Sequence, residues 1–89
     1  MLSLGVINEK MRGLKNWALE GSSITKDLSF KDFKESLDFT NKVGELAEKH
    51  EHHPNILIQY NKVRLTLTTH SEGGLTLKDF DLAGEIDKI

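Results

Sequence analysis

The chain has 89 residues, of which 29% are charged and 37% are hydrophobic, and its formal net charge is -2. These values are typical of one small globular domain, here residues 1–89, and they argue against a nucleic-acid binder that relies on a broad basic face. The chain has no cysteine, which excludes disulfides and thiolate ligands. It shows neither the apolar core of a signal peptide nor the roughly 20 apolar residues of a membrane span. We therefore expect a cytoplasmic protein without a membrane partner.

The first third of the chain predicts a short helix and a β-hairpin. Residues 2–13 are loosely periodic and predict a short helix or a partly ordered arm that ends at Gly13. Residues 17–20 and 24–28 predict two short strands. The glycine-containing residues 21–23 between them predict a three-residue hairpin loop.

A long helix is predicted next, over residues 30–50. Ser29 is the candidate N-cap, and Asp32 three residues later completes a variant of the capping box. Leu28 and Phe33 flank this cap as a hydrophobic staple. Pro54 limits the other end, because a proline disfavours helical geometry in the residue before it. An apolar stripe at helical spacing supports the helix and consists of Phe33, Leu37, Val43, Leu46 and Ala47.

After Pro54 the apolar period changes to two, which predicts a second hairpin. Asn61 and Lys62 are the predicted turn, because asparagine tolerates the left-handed conformation that a two-residue turn requires. Extended to the open end of the hairpin, the resulting register places His53 opposite His70. On the other side of the sheet it pairs apolar residues: Tyr60 with Val63, Ile58 with Leu65, and Ile56 with Leu67.

The last segment repeats the earlier capping pattern. Two glycines predict a loop, Thr76 is an N-cap with Asp79 at the third helical position, and Leu75 with Phe80 forms a staple. A final helix is therefore predicted over residues 76–88. The full order predicts an α+β fold in two layers, with a four-stranded antiparallel sheet and helices packed on one face.

All four histidines lie in two places, three of them within residues 50–53 and the fourth at position 70. Imidazole has an unperturbed pKa of about 6.5, so it can give and take protons near neutrality. Three clustered histidines can also bind zinc, but no Asp or Glu forms an obvious helical i, i+4 ligand pair with them. The residues favour catalysis over a metal site.

Taken together, these segments resemble the pterin-4a-carbinolamine dehydratases. The resemblance is carried by residues 48–54, by Thr69-His70, and by Gly74-Leu75-Thr76 with Asp79, and it extends over most of the chain. It implies the same α+β fold, no metal or other cofactor, and a homodimer or homotetramer. The implied reaction dehydrates 4a-hydroxytetrahydrobiopterin, or another reduced pterin of this kind, to quinonoid dihydropterin. That reaction recycles the cofactor of aromatic amino-acid hydroxylases. In animal relatives the resemblance also implies a transcription-factor partner.

Position by position, the resemblance implies catalytic roles for His52, His53 and His70. It implies substrate contacts for Trp17, Glu48, Pro54, Thr69, Ser71, Glu72 and Asp79. His50 stands where the family often has an apolar residue, so we expect a surface or accessory residue without a catalytic role. Glu51 and Lys78 also depart, standing where the family often has aspartate and, in some members, arginine.

Loss of water from a carbinolamine needs one proton delivered to the departing hydroxyl and one removed from the ring nitrogen. We assign His52 and His70 to these transfers and His53 to holding the substrate. Purely structural explanations exist for three of the other residues, since Asp79 can cap a helix, Trp17 can belong to the core and Thr69 can be an ordinary strand residue. Two other classes of function stay open: a metal-binding module built on the histidines, and a protein-interaction module or transcriptional coactivator.

Overall fold

The computed structural model describes all 89 residues and contains one four-stranded antiparallel sheet, in the order β1-β2-β4-β3. The α+β fold is confirmed. No helix is long and apolar enough to cross a membrane. The elements are α1 Leu4–Met11, β1 Ala18–Glu20, β2 Ser23–Ser29, α2 Phe33–His50, β3 Asn55–Gln59, β4 Lys62–Leu67 and α3 Leu77–Ile86, with a short 3-10 helix at His70–Glu72.

One face of the sheet forms the core with α2 and α3. The inward residues of the central strand β4 are fully buried, whereas Ile56 and Ile58 are half-buried because β3 lies at the sheet edge. The predicted apolar face is therefore the core face. Alternate residues of a strand point to opposite sides, so this face needs apolar residues only at every second position. The core consists mainly of Ile24, Val63, Leu65 and Leu67 from the sheet, Val43 and Ala47 from α2, and Phe80, Leu82, Ala83 and Ile86 from α3.

The opposite face of the sheet carries charged side chains. Arg64 donates two hydrogen bonds, of 2.8 and 3.1 Å, to the two carboxylate oxygens of Asp27 on the neighbouring strand. These bonds hold the pKa of the Asp27 carboxyl below its usual value and raise the pKa of Arg64. The pair is solvent-exposed, so its net contribution to stability is small.

Helix α2 begins later than the sequence predicts, because Asp32 rather than Ser29 is its N-cap. The Asp32 carboxylate accepts a hydrogen bond of 2.9 Å from the backbone N–H of Glu35. Ser29 is held in β2 opposite Lys62, so it is not free to start a helix. The predicted hydrophobic staple of Leu28 and Phe33 is therefore wrong, because these residues flank Ser29 and not the actual N-cap. Phe33 becomes the first helical residue and is half exposed.

The second hairpin differs from the predicted register by two residues. Ile58 pairs with Val63 and Ile56 with Leu65, and the turn is Tyr60-Asn61. Tyr60 takes the left-handed conformation, with φ of 53°. Asn61 is held instead by two hydrogen bonds with Phe30. The backbone N–H of Phe30 donates to the Asn61 carbonyl, and the side-chain amide of Asn61 donates to the Phe30 carbonyl.

A shift of two residues keeps the residues that remain within the strands on their predicted faces. It nevertheless removes the predicted pairing of His53 with His70, since the observed register extends from Asn55 and Thr66 toward His53 and Thr68. Tyr60 leaves the apolar face and is exposed in the turn. The first hairpin also turns more tightly than predicted, through Gly21 and Ser22 alone, with Gly21 at a φ of 59° that favours glycine.

Candidate active site

The end of α2 sets the position of His52. Glu51 ends the helix in the left-handed conformation, with φ of 51°, and donates its backbone N–H to the last turn. The backbone N–H of His52 then bonds to the carbonyl of Ala47 at 3.1 Å. This arrangement is a common helix ending, which satisfies carbonyls that have no partner within the helix. It reverses the chain so that the His52 side chain reaches the beginning of α3.

Asp79 joins three separate segments through its carboxylate. Its Oδ1 lies 2.6 Å from Nε2 of His52, and its Oδ2 accepts from the Thr69 hydroxyl at 2.8 Å and the Thr76 backbone N–H at 2.9 Å. The Thr76 hydroxyl lies 2.9 Å from the Thr69 hydroxyl. Asp79 has no exposed surface, and the His52 side chain is 11% exposed. A buried carboxylate needs such partners, because an unpaired one would be costly to desolvate.

His70 lies in the loop that follows β4. A backbone bridge between Thr69 and Gly74 closes this loop, with hydrogen bonds of 3.2 and 3.3 Å. The short 3-10 helix inside it presents His70, Ser71 and Glu72 to solvent, and the His70 ring makes no hydrogen bond within the protein. Because His70 follows Thr69 directly, the Asp79 carboxylate links the loop that carries His70 to His52.

His53 and Glu48 form a pair at the surface, close in sequence to His52. The Nε2 atom of His53 is hydrogen-bonded to Oε2 of Glu48, and both side chains are more than half exposed. Pro54 follows them in the trans form and is half-buried. The three predicted catalytic histidines therefore differ in setting: His52 is clamped, His53 is paired with a carboxylate, and His70 is unpaired.

A cavity of about 410 Å³ opens beside this loop, within the range typical of small-molecule sites. Cavities of about 550 Å³ between α2 and α3 and about 420 Å³ on the outer sheet face contain none of the predicted site residues. The candidate site is therefore identified by its lining, which includes Thr69, Ser71 and Glu72 but none of the three predicted catalytic histidines. The lining residues are Met1, Leu2, Thr69, Ser71, Glu72, Thr76, Leu77 and Lys78.

Trp17 lies at the other end of α3 from this cavity. Its indole N–H donates to Asp87 at 2.8 Å, and Lys26 lies over its ring and donates to the same carboxylate at 2.6 Å. Asp87 follows Asp79 by eight residues, which corresponds to about 12 Å along a helix. Within one chain Trp17 belongs to the core. Its assignment to the substrate pocket stays a prediction.

His50 is less exposed than a surface residue would be. Its side chain is half-buried, and its Nε2 atom is buried without a hydrogen-bond partner. It lines a cavity of about 310 Å³ with Asp81, Gly84, Glu85 and Lys88. The pKa of Glu85 is lowered, chiefly by its hydrogen bond from Lys88 and to a lesser degree by the positive charges of Lys49 and His50. None of the residues around this cavity belongs to the predicted catalytic set.

The sequence did not single out the site role of Thr76 or the lining role of Leu2 and Leu77. The spacing of Thr76 and Asp79 predicts a helix cap, and the backbone N–H of Thr76 does donate to the Asp79 carboxylate. No local pattern relates either residue to Thr69 or His52, because these contacts arise only when the segments fold together. No group of three or more His, Asp or Glu side chains is arranged to hold a metal ion.

Comparison with known proteins finds similarity along nearly the whole chain. Residues 2–89 match the family model described as pterin 4 alpha carbinolamine dehydratase. A protein of Nostoc sp. strain PCC 7120 with the pterin-4-alpha-carbinolamine dehydratase name is 51% identical over 89 residues, covering 100% of this chain and 96% of its own. A protein of Sulfurisphaera tokodaii with the same name is 46% identical over 83 residues, covering 93% of this chain and 89% of its own.

Solved structures share the fold. The crystal structure of a transcriptional coactivator/pterin dehydratase from Brucella melitensis superposes with a TM-score of 0.92 at 37% identity, covering 98% of this chain and 95% of that one. A pterin dehydratase-like protein that is a RuBisCO assembly factor in the alpha-carboxysome has a TM-score of 0.70 at 22% identity, which shows a shared fold alone. It covers 85% of this chain and 90% of that one. The family model and these relatives establish that the chain belongs to the pterin-4a-carbinolamine dehydratase family, a family of hydro-lyases.

Proposed function

We propose that this protein dehydrates a 4a-hydroxytetrahydropterin, such as 4a-hydroxytetrahydrobiopterin, to the quinonoid dihydropterin by histidine acid–base catalysis. The proposed role is the recycling of tetrahydrobiopterin or a similar reduced pterin. The observation that carries the proposal is the His52–Asp79–Thr69 network beside a cavity of small-molecule size. Family membership supports the choice of pterin carbinolamine as the substrate class.

The proposed reaction needs two proton transfers and no redox step. One imidazole delivers a proton to the hydroxyl on the carbinolamine carbon, the C–O bond breaks, and water leaves. A second imidazole removes the proton from the adjacent ring nitrogen, and its electron pair forms the C=N bond of the product. Each positioned acid or base typically contributes 10²–10⁴-fold to the rate.

His52 and His70 are the proposed proton-transfer pair. His52 is held by Asp79, and the His70 ring has no partner in the protein. His53 is proposed to hold substrate together with Pro54, Thr69, Ser71 and Glu72, three of which line the cavity. Glu48 acts in this scheme by orienting His53, with which it is paired.

The direct test is a dehydratase assay with freshly generated 4a-hydroxytetrahydropterin, comparing the rates with and without protein. Acceleration that saturates with substrate supports the proposal. No acceleration by folded protein, combined with capture of a defined protein partner, would instead favour the interaction-module alternative. The Brucella melitensis relative, which is named for both activities, makes that alternative specific.

Exhaustive chelation is expected to leave dehydratase activity unchanged. Proton transfer needs imidazole nitrogens that are free to bind a proton, whereas a metal ion would occupy them. Activity is measured before and after dialysis against a chelator, with elemental analysis of the same samples. Activity that disappeared on chelation and returned with zinc would show that the histidines form a metal centre.

Self-association into dimers or tetramers is also expected. The strands β1 and β3 are both at sheet edges, and an 89-residue domain has a limited core. Phe33 and Leu37 additionally present apolar surface on α2. Sedimentation at micromolar concentration checks the assembly, and a single species of 10.1 kDa would contradict it.

A further inference from the structure

The carboxylate of Asp79 is not accessible to a substrate. It has no exposed surface, and both of its oxygens are occupied by protein groups. Its position in the site is explained only by what it does to its neighbours. Of these neighbours, His52 is the one whose chemistry a carboxylate can control.

The hydrogen bonds of an ionised Asp79 determine which nitrogen of His52 carries the proton. An ionised carboxylate only accepts hydrogen bonds, so Oδ1 of Asp79 must receive a proton from Nε2 of His52. The other oxygen already accepts from the Thr69 hydroxyl and from the Thr76 backbone, which hold the carboxylate in place. In the neutral ring, a proton on Nε2 leaves the lone pair on Nδ1.

Nδ1 of His52 is also the ring nitrogen that the protein leaves without a partner. It makes no hydrogen bond within the protein, and the buried side-chain polar atoms without partners are confined to Thr40 and His50. Nδ1 therefore has no hydrogen-bond partner in the protein and is not a buried atom.

We propose that Asp79 is a positioning residue that holds His52 with its proton on Nε2, so that Nδ1 is the atom that exchanges a proton with the substrate. The inference rests on the proposed function for the catalytic role of Nδ1. For the tautomer it rests on the hydrogen-bond geometry and on an ionised Asp79. Thr69 helps Asp79 in this role, because its hydroxyl donates its proton to the carboxylate and orients it. This gives Thr69 a role toward Asp79 in addition to its place in the lining of the cavity.

The test is Asp79→Asn, read by nitrogen NMR of the His52 ring without substrate. The asparagine oxygen can keep the hydrogen bonds to Thr69 and Thr76, so the helix cap survives. Its amide then donates to Nε2 of His52, which forces the ring proton to Nδ1. At a pH where the nitrogen shifts show the ring to be neutral, the wild type is expected to have the proton on Nε2, and the variant on Nδ1. In parallel, kcat is expected to fall by about 10²–10⁴-fold with a smaller change in KM, as when a catalytic histidine takes the wrong tautomer.

Asp32→Asn is the matched control. It makes the same change in a carboxylate at the N-terminus of the other long helix, at the end of α2 remote from His52. The control is expected to keep the His52 tautomer and kcat of the wild type. A change in both variants would indicate an effect of helix capping and would overturn the assignment.

The tautomer separates this inference from the proposed function. A wild-type proton on Nδ1 overturns the inference directly, even if Asp79→Asn fails to fold. A folded Asp79→Asn protein with unchanged tautomer and unchanged kcat overturns it as well. A wild type that has its proton on Nε2 but no dehydratase activity supports the Asp79 clamp and contradicts the dehydratase function.

Discussion

His52→Ala is expected to lower kcat for 4a-hydroxytetrahydropterin dehydration by about 10²–10⁴-fold, because it removes one of the two groups that transfer protons. His70→Ala is expected to have an effect of the same order for the same reason. The His52/His70 double variant is expected to be little slower than the slower single variant, since groups that act as one unit are not additive. Steady-state kinetics of the three proteins checks the set.

Two other histidines provide the contrast. His53→Ala is expected to act at least partly through KM, because this exposed ring is proposed to hold substrate. His50→Ala is expected to keep kcat near the wild-type value, because this histidine lines a cavity that contains no residue of the proposed site. Circular dichroism of each variant separates loss of chemistry from loss of folding. Full activity in well-folded His52→Ala and His70→Ala proteins would refute the acid–base assignment.

Asp87→Ala is expected to destabilise the fold by about 3–5 kcal/mol, the usual cost of removing one partner from a buried ion pair. The change leaves the Lys26 ammonium, the Trp17 indole N–H and the backbone N–H of Lys15 without their acceptor. The side chains of Lys26 and Asp87 are 11% and 6% exposed, so water cannot readily replace the lost bonds. In thermal unfolding, the midpoint is expected to fall by at least about 10 °C.

Asp27→Ala is the matched control for this prediction. It removes the carboxylate beside Lys26 in sequence, from an ion pair on the exposed sheet face. Its midpoint is expected to change little, because exposed pairs contribute little. The double variant Lys26→Met/Asp87→Leu is expected to recover part of the stability lost in Asp87→Ala, because no charge is then left unpaired. Equal midpoints for Asp27→Ala and Asp87→Ala would contradict the structural role of the buried pair.

The faces of the elements were predictable from the sequence, whereas their register was not. A period of two identified the core side of β3 and β4, and any error of two residues preserves that side. The predicted turn is misplaced because it assigns the left-handed position to Asn61, whereas Tyr60 adopts that conformation. The folded chain uses Asn61 to bind Phe30 instead, a contact between distant segments that no local pattern contains. Ser29 was misassigned for the same reason, since strand pairing competes with helix capping for that residue.

The candidate site was predictable as a set of residues but not as an arrangement. Local pattern identified the histidine cluster and the capping aspartate, and family resemblance added Thr69, Ser71 and Glu72. The route from His52 to Thr69 through Asp79 joins the end of α2, the loop after β4 and the start of α3. Such a route depends on tertiary packing. The sequence therefore predicts that His53 pairs with His70 across the hairpin. In the structure, the Asp79 carboxylate instead connects His52 to Thr69, the residue before His70.

The use of one carboxylate for two purposes affects how relatives should be annotated. Asp79 stabilises the start of α3 and also holds His52, so a relative that has given up the chemistry still gains from an aspartate there. The side chain of a histidine equivalent to His52 caps no helix, and any hydrogen-bond donor there could satisfy the buried carboxylate, so only the chemistry requires an imidazole. We therefore expect the aspartate to be a poor marker of dehydratase activity among proteins of this fold. The histidine is expected to be the better criterion for transferring the activity from one genome to another.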